Sequence, residues 1–176
     1  MRDSRGVGAI DRYNLFVRNP LILVLASCAS VHASPLVCPH DDAAIVIDTD
    51  GHRMGLCETG KLVRDLPVAI GGGGVDKQRE GDRKTPLGSY PLDPPRESRK
   101  FHKFIAVGYP TREQRAEGRT GGDIGIHGPS RKHSWLGRFR NLVDWTDGCI
   151  AVATDEVIDQ VAAWAVAKGP NRVVIQ

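Results

Sequence analysis

The chain has 176 residues, 40% of them hydrophobic and 26% charged, enough for one ordinary core and too short for two comfortable domains. Its formal charge of +3 falls to +1 without the first 33 residues, which carry Arg2, Arg5, Arg12 and Arg18 against Asp3 and Asp11. So small a basic excess argues against a nucleic-acid binder.

Residues 1–33 read as an export signal that is not part of the fold. Arginines up to Arg18 precede an apolar run at 21–26, far short of the roughly 20 residues that a membrane span needs. Val31, His32 and Ala33 suit a signal-peptidase cut before Ser34, which leaves 34–176 as the mature domain in the periplasm or cell envelope. Leu25, Ala26, Ser27 and Cys28 also read as a lipobox, in which case 1–27 are removed and Cys28 carries a lipid anchor. A disordered cytosolic tail is the third reading, and it gives no reason for an apolar block placed after a basic one.

With Cys28 set aside, Cys38, Cys57 and Cys149 remain, an odd number for a compartment where thiols pair. The economical reading is one disulfide, Cys38 to Cys57, and one working thiol. Cys38 and Cys57 enclose a strand, a turn and a strand that could set them side by side; two buried reduced cysteines are the alternative.

Along the mature chain, 43–48 is a β-branched run ending at Asp50 and Gly51. Residues 52–58 then set Met54, Leu56 and Glu58 on one side and small or polar residues on the other, which signals a hairpin. Glu58, Thr59 and Gly60 turn into a third strand through Leu62, Val63, Leu66, Val68 and Ile70. Residues 71–84 form a loop rich in glycine and charge, too polar for core. Thr85, Pro86, Leu87 and Gly88 re-enter regular structure, and 101–108 and 123–126 read as further strands. Thr154 is a plausible N-cap, with Asp155 and Glu156 at the positive end of the helix dipole. Val157, Ile158, Val161, Ala162, Trp164 and Ala165 recur at helical spacing, and Gly169 and Pro170 stop the helix. Residues 172–175 close with a strand, so the balance is mostly β with one C-terminal helix.

The chemistry concentrates between 124 and 152. Ile126, His127 and Gly128 end a strand, while Asp144, Trp145, Thr146, Asp147, Gly148, Cys149 and Ile150 stand ahead of the helix. A cysteine between glycine and an apolar residue suits a tight turn whose amides point at an acyl oxygen, each such donor being worth about 3 kcal/mol of barrier. A thiol needs an activating base at neutral pH, and His127 is the best candidate.

These residues resemble the L,D-transpeptidase catalytic domain family of YkuD type. The family pattern is a His-Gly or His-Ser at a strand end, followed by Ser/Thr-His-Gly-Cys, an apolar residue and Arg or Asn. The chain matches it at His127, Gly128, Thr146, Gly148, Cys149 and Ile150, and again in the glycine-rich loop that leads into Thr85, Pro86, Leu87, Gly88, Ser89 and Tyr90. It departs at Asp147, where the family usually has a second His, at Ala151, where Arg or Asn is usual, and in a slightly long connection from His127 to Thr146. Some family members carry Asp-Trp-Thr-x-Gly-Cys-Ile-Ala, much as here.

The resemblance implies a mostly β (all-β or α+β) domain, a curved, barrel-like mixed sheet with the Thr154 helix packed on it. It implies a Cys149 thiolate that attacks tetrapeptide stems of peptidoglycan, with His127 as base and proton donor and Thr146, Gly148, Gly128 and Asp147 in support. Arg131 and Arg138, with Lys132 and Arg140, are either a solvated surface or the attractors of stem-peptide carboxylates. The expectation is a monomer with no cofactor and no metal. Zinc on His127, His133 and Cys149 would lack tight ligand spacing and a fourth partner. Water in place of the acceptor amine gives an L,D-carboxypeptidase or a peptidoglycan-linkage hydrolase; a structural Cys149 gives a cell-wall binding module.

Overall fold

A computed structural model describes residues 35–40, 43–131 and 143–176. The export-signal and Cys28 lipid-anchor readings, and Lys132, His133, Arg138 and Arg140, lie outside the described residues.

The strands are β1 (Ala43–Asp48), β2 (Arg53–Glu58), β3 (Lys61–Ala69), β4 (Gly88–Pro91), β5 (Arg96–Ser98), β6 (His102–Ala106), β7 (Gly125–His127), β8 (Ile150–Val152) and β9 (Arg172–Ile175). With helices α1 (Arg112–Ala116) and α2 (Asp155–Lys168) they form a mixed sheet in the order β4-β9-β1-β2-β3-β8-β7-β6-β5. The sheet curls, and β3 belongs to both halves: Lys61 to Pro67 pair with β2, while Val68 and Ala69 pair with Val152 and Ala151 of β8.

The β1 run is continuous because both of its faces are buried. Ile45 and Ile47 enter the main core with Met54, Leu56, Ile126, Ile150 and Ile175. Val46 faces the other way, onto Leu36 and Cys57. A segment ahead of β1 covers that face, fastened by a disulfide between Cys38 and Cys57, whose Cα atoms are 5.6 Å apart. α2 closes the main core with Ile158, Val161 and Ala165. Thr154 accepts the Val157 N–H at its start, and Gly169 ends it in the left-handed conformation.

Three elements add to the sequence-based outline. β5 and β8 are three residues long, too short for an alternation to show. α1 rests on a capping box between Thr111 and Gln114 and buries none of its own residues, so no apolar period marks it.

The polar loop after β3 also departs from expectation, because its lysine Lys77 is 3% exposed. Its ammonium donates to Asp82 Oδ1 at 2.7 Å and to Arg79 O at 3.0 Å. Burial alone would raise the Asp82 carboxyl. The Arg79 amide, the Lys77 ammonium and the Lys84 and Gln78 amides outweigh it and hold the group well below the usual carboxylate range. Its folded pKa is thus depressed, so its stabilisation is complete above the unfolded value near 4 and fades as pH falls below it. Asp82→Asn should cost about 3 kcal/mol at pH 7, because it leaves a buried ammonium without its counter-charge. In urea titrations the gap between variant and parent should narrow steadily below about pH 4.

Candidate active site

β7 and β8 run parallel, with Ile126 opposite Ile150 and His127 opposite Ala151. His127 therefore ends one strand while Cys149 stands one residue ahead of its neighbour. Both line a cleft of about 590 Å³.

His127 is 1% exposed, and aromatic rings fix its plane. Phe101 stacks on it with centroids 3.8 Å apart, Phe104 lies nearly parallel at 6.1 Å, and Trp145 meets it edge-on at 5.9 Å. Its Nδ1 lies 2.7 Å from Gly128 O. A carbonyl only accepts, so Nδ1 donates, and in the neutral ring Nε2 holds the lone pair. Glycine is required at 128 for space: a Cβ there would meet Ile158 Cγ2 and Phe101 O, each at 2.8 Å.

The thiol sits on a turn stitched by two buried threonines. Thr146 Oγ1 donates to Cys149 O at 2.7 Å and accepts from Gly148 N at 3.1 Å. Thr85 Oγ1 donates to Gly148 O at 3.1 Å and accepts from Gly71 N at 2.9 Å. The Thr146 backbone is tied to Ile70 O and Gly72 N, and the Asp144 carboxylate accepts from Ile70 N and His52 Nε2. Gly148 has φ +118°, and a Cβ there would lie 2.5 Å from Lys84 O, so only glycine fits. Its N–H serves the turn, donating to Thr146 Oγ1.

The Cys149 thiol donates to Asp123 O at 3.4 Å. Asp123 reaches it from a left-handed conformation, φ +52°, which aspartate tolerates better than most residues. Burial pushes the thiol up to about 11. The Gly125 amide and the Lys100 ammonium pull it down, and the Asp147 and Asp123 carboxylates push it further up.

Asp147 points outward, 85% exposed, with Arg83 Nε 3.2 Å from its carboxylate. Ala151 is fully buried and brings no polar group to the cleft. Arg131 does not line the cleft: its guanidinium donates to His102 Nδ1 at 3.0 Å and lies 3.4 Å from Asp155. Among the described residues, the cations that line it are Arg96 and Lys100, which sequence reasoning missed along with Asp123 and the two phenylalanines. Phe101 and Phe104 were legible only as strand residues. Among the described residues, no group of three or more His, Cys, Asp or Glu is placed to hold a metal. Among them, too, no helix is long and apolar enough to cross a membrane.

A family model for the L,D-transpeptidase catalytic domain (YkuD) matches residues 42–175. Among solved structures the chain is similar to the helical cell shape determining protein Pgp2 from Campylobacter jejuni. The identity is 26% and the TM-score 0.61, over 80% of this chain and 50% of that one. It is also similar in fold to Bd1075 from Bdellovibrio bacteriovorus, with 19% identity and TM-score 0.56, over 78% of this chain and 48% of that one. The chain thus spans about half the length of each. No curated protein matches it in sequence.

With the thiol held near 11, iodoacetamide should modify Cys149 at a rate that still climbs between about pH 8 and pH 10. Mass analysis of the alkylated peptide measures this. A rate that levels off by about pH 7 would instead reveal a preformed thiolate and imidazolium.

Proposed function

The chain belongs to the L,D-transpeptidase catalytic domain family, and from that premise we propose that it is an exported, peptidoglycan-modifying L,D-transpeptidase working through a thioester on Cys149. The observation that carries the reading is the pairing, in one cleft, of a thiol and an imidazole whose Nδ1 is committed to Gly128 O. That commitment leaves the lone pair of the neutral ring on Nε2.

In the proposed reaction His127 Nε2 takes the Cys149 proton as sulfur attacks the carbonyl between residues three and four of a tetrapeptide stem. The carbon–sulfur bond forms, the tetrahedral adduct collapses, and the carbon–nitrogen bond breaks. The leaving nitrogen takes the proton from His127, and D-alanine departs. An acceptor amine then attacks the thioester, a new amide forms, and the thiol is regenerated. A thiol pushed upward makes proton transfer to His127 part of the step instead of a condition met beforehand. These steps call on no cofactor. A part in cell shape, the role printed in the name of Pgp2, belongs to the same proposal.

A second reading keeps the site and replaces the acceptor amine with water. Asp147 and Ala151 favour it, since neither supplies the cationic or amide group usual at those positions.

Purified protein should release D-alanine from a disaccharide-tetrapeptide and, with an amine acceptor present, form the cross-linked product by mass. Cys149→Ala should abolish both, and also the stoichiometric adduct expected with a carbapenem. His127→Ala should slow acylation by about 10²- to 10⁴-fold. Full turnover in Cys149→Ala would sink the reading; D-alanine release without any cross-link would move the assignment to the hydrolase.

A further inference from the structure

Among the described residues, two cations line the cleft, Arg96 and Lys100. Arg96 pairs in register with Phe104, and Phe104 with His127, so Arg96 stands level with the imidazole, two strands away. Lys100 lies in the turn between β5 and β6, next to the Phe101 ring that covers the imidazole. The Arg96 guanidinium carbon is 4.8 Å from the Phe104 centroid, and Lys100 Nζ is 4.8 Å from that of Phe101. A cation held over a ring face is fixed in place while its N–H donors remain available. Among the described residues neither side chain forms an ion pair with a carboxylate, whereas their neighbours Lys103 and Arg131 both do. Lys100 also reaches the thiol, which it pulls down more than the Asp147 or Asp123 carboxylate pushes it up.

We propose that Arg96 and Lys100 are the subsite for the carboxylate of the departing residue, so that the site selects amide bonds at the free C-terminus of a peptide. The inference rests on the acyl-transfer reading above and adds what that reading leaves open, the feature that singles out the bond to be cut. The leaving nitrogen must come within hydrogen-bond reach of the imidazole to collect its proton. In a departing amino acid a single carbon separates that nitrogen from the carboxylate. The anion therefore falls close to the imidazole, within reach of Arg96 and Lys100, which attract it. An internal amide bond brings no anion to that place and leaves both cations without a partner.

A side-chain carboxylate on the preceding residue is the other source of the same chemistry, and the test separates the two. Binding is measured by calorimetry on the Cys149→Ala protein, in which no turnover occurs and the effect of Lys100 on the thiol drops out. Three probes are used: a tetrapeptide stem ending in D-alanine, the same peptide amidated at its C-terminus, and the same peptide amidated at the side-chain carboxylate of residue three. C-terminal amidation should weaken binding by about 10- to 100-fold, the range for charge-assisted hydrogen bonds, and side-chain amidation by much less. Adding Lys100→Met or Arg96→Met should weaken the free acid similarly and leave the C-terminal amide bound as weakly as before. The reverse ranking of the two amides, equal losses for all probes, or no binding of any probe would overturn the proposal. The amide arm needs neither cleft substitution, so it stands even where such a variant folds poorly. Selective binding of the free acid without D-alanine release by the parent protein would remove the transpeptidase reading and keep the subsite. Turnover by the parent that ignores C-terminal amidation would do the opposite.

Discussion

The turn that bears the thiol has little regular structure of its own, and the hydroxyl groups of Thr85 and Thr146 hold it. Thr85 is wholly buried and joins an amide at the start of the glycine-rich loop to the carbonyl of Gly148. Thr146 closes the turn from inside, across Gly148 to the Cys149 carbonyl. Each backbone group so met is shielded from water, where an unmet one costs about 1–3 kcal/mol. The position of the sulfur relative to β7, the close approach of Gly148 to Lys84 and the placing of the glycine-rich loop follow from these few bonds.

That dependence explains what the sequence discloses. Long strands with alternating or β-branched patterns, such as β1 to β3, are legible because their burial repeats. The α2 helix is legible from its caps and its apolar period. Cys149 and His127 are legible because glycine beside each marks a backbone constraint, and both glycines meet one: Gly148 at Lys84 O, Gly128 at Phe101 O and Ile158. Arg96 and Lys100 are not legible as cleft residues, since their place there depends on the strand pairing that brings β5 and β6 beside β7. Nothing in the local sequence separates Arg96 from Arg99, or Lys100 from Lys103. Arg131 reads as a cleft cation only until the fold gives it His102 and Asp155 as partners. Lys77 sits in a run that looks solvated, and a carboxylate five residues on draws it inward.

Asp147 and Ala151 lie in unlike surroundings. Asp147 is at the rim, open to water, where its ion pair with Arg83 adds little to stability. It can change without disturbing the fold. Ala151 is interior to the sheet, with Ala69 and His127 as its register partners.

The protonated state of Cys149 bears on how one chain keeps two kinds of cysteine. Oxidation and disulfide exchange both proceed through the thiolate. A thiol pushed up by desolvation presents little thiolate at neutral pH. The surroundings that promote closure of the Cys38–Cys57 bridge therefore find little to react with at Cys149. The desolvation that raises the thiol therefore also slows its oxidation.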